Sequence, residues 1–181
     1  IFDKTGTLTR DTFEVAHTHT RAGVDAAQAL VWASALARHS LHPVSRALWS
    51  EARQRAQRSS SLSELERVMA REISEQAGQG VQGRLEMTGS TSLNLRLGSA
   101  RFCDAPGFSG HHLQVSLADD AGWLATFELA EDVRPEAARV VARLKALGLT
   151  LKMLSGDGPH AVAQVARQVG IDDAQGACSP Q

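Results

Sequence analysis

The opening stretch, Ile1-Phe2-Asp3-Lys4-Thr5-Gly6-Thr7-Leu8-Thr9, constrains this chain more than any other. An apolar pair runs into an aspartate, then into a turn of hydroxyl residues around one glycine. That order reads as the end of a buried strand opening into a loop. In open α/β folds, ligands bind in the crevice beyond the carboxyl ends of the strands, where a loop of this kind stands.

The remaining pattern is first extended, then helical, then extended again. Arg10 to Thr20 reads as a connector that carries His17 and His19 in alternation; with no third ligand near, solvent-facing histidines are the expectation rather than a metal site. Asp25 caps a helix with Ala26, Ala29, Leu30, Ala33 and Ala37 on its apolar stripe. That helix must stop before Pro43, which suits the first position of the next helix and leaves His42 at its mouth. Short strands are expected over 65–73, 81–87, 92–97, 113–117 and 123–129, punctuated by Gly89, Pro106-Gly107 and Asp119-Asp120-Ala121-Gly122. Consecutive strands joined by turns imply an antiparallel sheet. Helical spacing returns at Pro135 and ends at Gly148; a strand over 150–154 runs into Ser155-Gly156-Asp157, and a last helix precedes Gly170.

DKTGTLT, residues 3–9, resembles the phosphorylation motif of the P-type ATPases, ion pumps with a haloacid-dehalogenase-like catalytic domain. The resemblance implies that Asp3 takes the γ-phosphoryl group of ATP as an acyl phosphate. A carboxylate is ionised at neutral pH and needs no base. Lys4 and a Mg²⁺ ion held at Asp3 and Thr5 would relieve its repulsion from the phosphate, with Thr5 and Thr7 adding donors. Phosphatases of the superfamily carry Asp-x-Asp, whose second carboxylate is the general acid/base; here Thr5 stands in that place. Hydrolysis of the acyl phosphate should therefore be slow.

Further motifs follow in the order of the same family. Ser40-Leu41-His42-Pro43 resembles the Ser-Glu-His-Pro signature of its heavy-metal (type IB) members, whose histidine orients adenine. Those members tend to carry a glutamate five residues earlier, where this chain has Ala37, so part of the adenine contact is not supplied there. Gly78-Gln79-Gly80 and Gly98-Ser99 are similar to the glycine motifs of the nucleotide pocket. Glu131-Asp132-Val133-Arg134-Pro135 resembles Asp-x-x-Arg-Pro, with Glu131 or Asp132 as the carboxylate and Arg134 lining the cleft. Ser155-Gly156-Asp157 resembles Thr-Gly-Asp: Ser155 would bond the transferred phosphoryl group and Asp157 would hold nucleotide or metal-bound water near Asp3.

The expected fold is α/β. Residues 1–12 and 126–181 would form an incomplete Rossmann-like phosphorylation domain, and residues 13–125 an inserted α+β nucleotide-binding domain on an antiparallel sheet. The implied function is the ATP-binding and phosphorylation region of a pump that exports copper or another heavy metal. Features around His42 and after Ser155-Gly156-Asp157 look closest to bacterial copper pumps serving cytochrome oxidase assembly. The alternatives are a soluble phosphohydrolase of the superfamily with a cap domain, which Thr5 disfavours, and a binding module without chemistry.

Length and charge are compatible with this. At 181 residues, with 43% hydrophobic and 22% charged, the chain can build one or two cores. A net charge of −1 gives no reason to expect nucleic acid as a partner. Cys103 and Cys178 match no metal or redox spacing. No apolar run approaches the roughly 18 residues that span a bilayer. The expectation is a monomeric cytoplasmic piece of an integral membrane protein, able to bind ATP but not to turn it over without further family motifs.

Overall fold

A computed structural model describes residues 1–86, 92–108 and 112–178, which fall into two compact units, 1–13 with 131–181, and 14–130. Met87, Gly89 and Ser179-Pro180-Gln181 lie outside the described residues.

The first unit is built on a parallel three-stranded sheet in the order β1 (Phe2–Asp3), β8 (Lys152–Leu154), β9 (Asp173–Gln175). Helices α4 (Ala137–Ala146) and α5 (Pro159–Val169) accompany it. Val141, Met153, Val162, Val165 and Val169, each at most 3% exposed, share its core with Leu8 and Ile171. Burial of such side chains contributes about 1.5–3 kcal/mol apiece, so this unit holds a core of its own. The strand expected from residue 150 begins at Lys152. β9 escapes a reading by pattern, because Asp173-Ala174-Gln175 offers one apolar residue.

The second unit holds α1 (Ala26–Ala37), α2 (Pro43–Arg58), α3 (Leu62–Arg67) and strands β3 (Met69–Gln76), β4 (Gly80–Glu86), β5 (Ser92–Gly98) and β6 (Leu113–Asp119). With β2 (Thr9–Thr20) and β7 (Gly122–Val133), whose ends run on into the other unit, they form a sheet ordered β2-β7-β6-β5-β4-β3. Pairings from β3 through β7 are antiparallel. Residues 126–130 belong with this unit, because Thr126 to Leu129 pair with Ser116 to Leu113.

Two local readings need correction. Residues 65–67, expected in a strand, close helix α3, since Leu62 and Leu65 fall at helical spacing and Leu65 faces the same hollow as Ala52 and Ala56 of α2. His19 is not a free surface histidine. Its ring stacks on Phe108 at 4.4 Å, with Nε2 3.3 Å from Oε1 of the buried Glu128. Among the described residues no three His, Cys, Asp or Glu side chains gather as metal ligands, and no helix is long and apolar enough to cross a membrane.

Asp25 caps α1 by accepting from the Gln28 N–H at 2.9 Å. Leu36, Leu48, Leu85, Leu95 and Phe127, each at most 1% exposed, belong to the core of the unit. The fit over β4 is close: a Cβ at Gly83 would stand 3.0 Å from Leu36 Cδ2. Cys103, also in this unit, is fully buried and donates to Ser116 O at 3.1 Å. Burial pushes its thiol up to about 11, so it is a packed, unreactive group.

Candidate phosphoryl site and nucleotide pocket

Parallel pairing of Phe2 with Met153 and of Asp3 with Leu154 makes the loops after β1 and β8 neighbours. The first, Lys4 to Leu8, is tightly wound. Thr9 closes it, its N–H and its Oγ1 both bonding Lys4 O, the latter at 3.2 Å. Gly6 takes φ 77°, ψ −14°, a left-handed conformation that costs glycine nothing. The second loop is tied down at both ends, Ser155 N–H donating to Gln175 O at 3.0 Å and Ala177 N–H to Asp157 O at 2.7 Å.

Their side chains converge on Lys4, which is 1% exposed. Its ammonium bonds Glu131 Oε1 and lies 2.8 Å from Asp157 Oδ2. The same Asp157 oxygen accepts from Ser155 Oγ at 2.9 Å and from Thr5 Oγ1 at 3.1 Å. A buried ammonium is tolerated only when paired, and Glu131 and Asp157 supply that pairing. The bond from Lys4 holds the Asp157 carboxyl below the ordinary value, against partial desolvation, with Ser155 and Thr5 adding to the effect. Asp3 and Thr7 are exposed.

Glu131 and Asp132, alternatives in the sequence, are separated by their partners. Glu131 faces Lys4, whereas Asp132 accepts from Thr12 Oγ1 at 3.0 Å and pairs with Arg10 at 3.3 Å. Arg134 braces the loop after β1, Nη2 donating to Gly6 O at 3.1 Å and its backbone N–H to Leu8 O at 2.9 Å. Glu131 and Arg134 thus group with Lys4 and the loop after β1.

In that other unit a cavity of about 310 Å³ brings together His42, Gly78, Gly80, Gly98 and Ser99. His42 is the N-cap of α2: Nδ1 accepts from Val44 N–H at 3.3 Å, which assigns the ring proton of the neutral form to Nε2. Gly80 and Gly98 face each other across β4 and β5. A Cβ on Gly98 would stand 2.2 Å from Gln79 O, so close strand packing alone requires this glycine. The sequence reading did not assign Ser45, Glu75, Gln76 or Gln114, polar residues that also line the cavity. It also gave Ala37 a place by the base. Ala37 is 1% exposed, faces the core and does not line the cavity.

A parallel sheet with a strand-end aspartate, a buried lysine and a second Ser-Gly-Asp loop is a haloacid-dehalogenase-like arrangement. The sequence pattern of the haloacid dehalogenase-like hydrolases matches residues 1–180, and the chain belongs to that family. Its relatives there are heavy-metal P-type ATPases. The probable copper-transporting ATPase SynA of Synechococcus elongatus is 34% identical over 177 residues, covering 95% of this chain and 21% of the relative. The probable copper-exporting P-type ATPase V of Mycobacterium tuberculosis is 30% identical, covering 100% of this chain and 24% of the relative. A zinc-transporting PIB-type ATPase in its E2.Pi state superposes with a TM-score of 0.80 at 25% identity, over 97% of this chain and 28% of that one. The chain therefore spans about a fifth to a quarter of the length of the curated relatives it matches.

Proposed function

We propose that this chain is the cytoplasmic ATP-binding and phosphorylation region of a membrane pump that moves copper or another heavy metal through an aspartyl-phosphate intermediate. The observation that carries the proposal is the bonding of Lys4 to both Glu131 and Asp157 beside the exposed Asp3. The names of the relatives support a heavy-metal cargo, copper foremost.

In the proposed reaction an Asp3 carboxylate oxygen attacks the γ-phosphorus of ATP. The bond from that phosphorus to the β–γ bridging oxygen breaks, and its electron pair leaves on ADP. Lys4, fixed by its two carboxylates, presents positive charge at the loop without being free to swing away. Ser155 and Thr5 hold hydroxyls towards Asp157 and can turn them to phosphate oxygens. Asp3 and Thr5 offer the hard oxygen donors that Mg²⁺ takes and would hold it together with phosphate oxygens and water. The ion's contribution when bound is neutralisation of phosphate charge. Thr5 cannot act as the general acid/base that a carboxylate provides, which leaves the aspartyl phosphate to persist.

His42, Gly78, Gly80, Gly98 and Ser99 form the nucleotide pocket in this reading, His42 presenting Nε2–H to the base. The test is labelling with γ-³²P-ATP in membranes containing the whole transporter. The expected product is an acid-stable, hydroxylamine-labile phosphoprotein, absent in Asp3→Asn. Label that survives Asp3→Asn would overturn the proposal.

A further inference from the structure

We infer that Glu75 is the base-recognising carboxylate of the pocket, accepting from the exocyclic amino group of adenine. The inference rests on the nucleotide reading of the cavity above, and it starts from an irregularity in β3. Ala70 pairs with Leu85, which is fully buried on the helix-covered face of the sheet. Strict alternation from Ala70 would place Glu72, Ser74 and Gln76 on that face and turn Glu75 away. The ladder instead slips between Arg71 and Ser74, with Glu72 in a left-handed conformation at φ 52°. A slip of one residue exchanges the faces of everything beyond it. After the slip Glu75 pairs with Val81, and Val81 with Leu97; both are buried and both line the cavity with His42.

The slip thus turns a carboxylate towards the pocket, at the cost of an unfavourable backbone conformation at a residue other than glycine. Bulges recur beside functional sites, where they re-aim a side chain. Among the described lining residues Glu75 is the only carboxylate, and it makes no ion pair among the described residues. Its neighbours Val81, Leu97, Leu113 and Val115 give the cavity an apolar wall suited to a base.

The donor pattern matches adenine. His42 offers a donor at Nε2, and Glu75 offers only acceptors. Adenine presents an acceptor ring nitrogen next to its amino donor, whereas guanine places an acceptor oxygen at the corresponding position. Ala37, buried in the core, cannot serve.

Calorimetric titration with ATP and with purine riboside triphosphate, which lacks the 6-amino group, tests the inference in wild type and Glu75→Ala. Amide NMR shifts at Gly80 and Gly98 report whether either ligand enters the pocket. The wild type is expected to favour ATP by roughly tenfold, the worth of one hydrogen bond to a charged group. Glu75→Ala should lose that preference and bind both ligands as the wild type binds the analogue. A variant that keeps the ATP preference, with pocket shifts intact, overturns the role of Glu75 and leaves the pocket standing. Nucleotides that bind without shifting Gly80 or Gly98 overturn both.

Discussion

Lys4 Nζ lies 2.8 Å from Asp157 Oδ2, joining the loops after β1 and β8 through a buried ammonium. Glu131 is the second partner of that charge. Either carboxylate alone still leaves Lys4 a counter-charge, so Glu131→Gln and Asp157→Asn should each cost about 1–2 kcal/mol, allowing for solvent screening at the half-exposed Asp157. The double variant strands the ammonium, and a loss of about 3–5 kcal/mol is expected, beyond the sum of modest single losses. Urea denaturation of the three variants measures this. Strict additivity would show that Lys4 is solvated rather than buried.

The same pair sets an acid limit. The folded-state carboxyl of Asp157 titrates below its unfolded value, chiefly through its bond from Lys4. Its contribution is therefore complete above the ordinary carboxylate value of about 3.9 and is lost as pH falls through the lower folded-state value. Denaturation midpoints followed downwards from pH 6 should fall more steeply below about pH 4 in wild type than in Asp157→Asn. Parallel curves for the two proteins would show that Asp157 is not held in its charged form.

Much of this site is legible in the sequence because its residues lie within contiguous motifs. Asp3-Lys4-Thr5 and Ser155-Gly156-Asp157 each end an apolar run, and strand ends are where chemistry collects in an α/β sheet. The choice between Glu131 and Asp132 was not legible, since neighbouring strand residues face opposite sides and only the partners decide. Glu75 was hidden for a related reason: alternation read from Ala70 assigns it to the wrong face until the slip at Glu72 is known. α3 was concealed by its shortness, and β9 by its polar composition.

Ala37 separates a positional analogy from a physical one. A glutamate at this number would enter the core of the unit rather than the cavity, because Ala37 is 1% exposed at the end of α1. Ala37→Glu should therefore lower stability, through desolvation of its carboxyl, without tightening ATP. Thermal melting and calorimetry together check this. Tighter ATP binding with an unchanged melt would show that the end of α1 opens towards the pocket.

Gly98 tests how the pocket depends on strand packing. It faces Gly80 across β4 and β5, and Ser99 N–H, just beyond it, donates to Gln79 O at 2.8 Å. A Cβ on Gly98 would stand 2.2 Å from Gln79 O and 2.7 Å from Gly80 Cα. Both are backbone atoms, so relief requires the strands to part rather than one side chain to swing. Overpacking of this kind costs about 1–3 kcal/mol, on the order of 5 °C in melting temperature for a chain of this size. Parting the strands also displaces Ser99 and Gly80 from the pocket wall, so Gly98→Ala should weaken ATP together with stability. Gly107→Ala is the control, since a Cβ there meets nothing within 4 Å. A Gly98→Ala protein that melts with the wild type and binds ATP equally well would show that β4 and β5 accommodate the methyl group, and that the glycine pair does not shape the pocket.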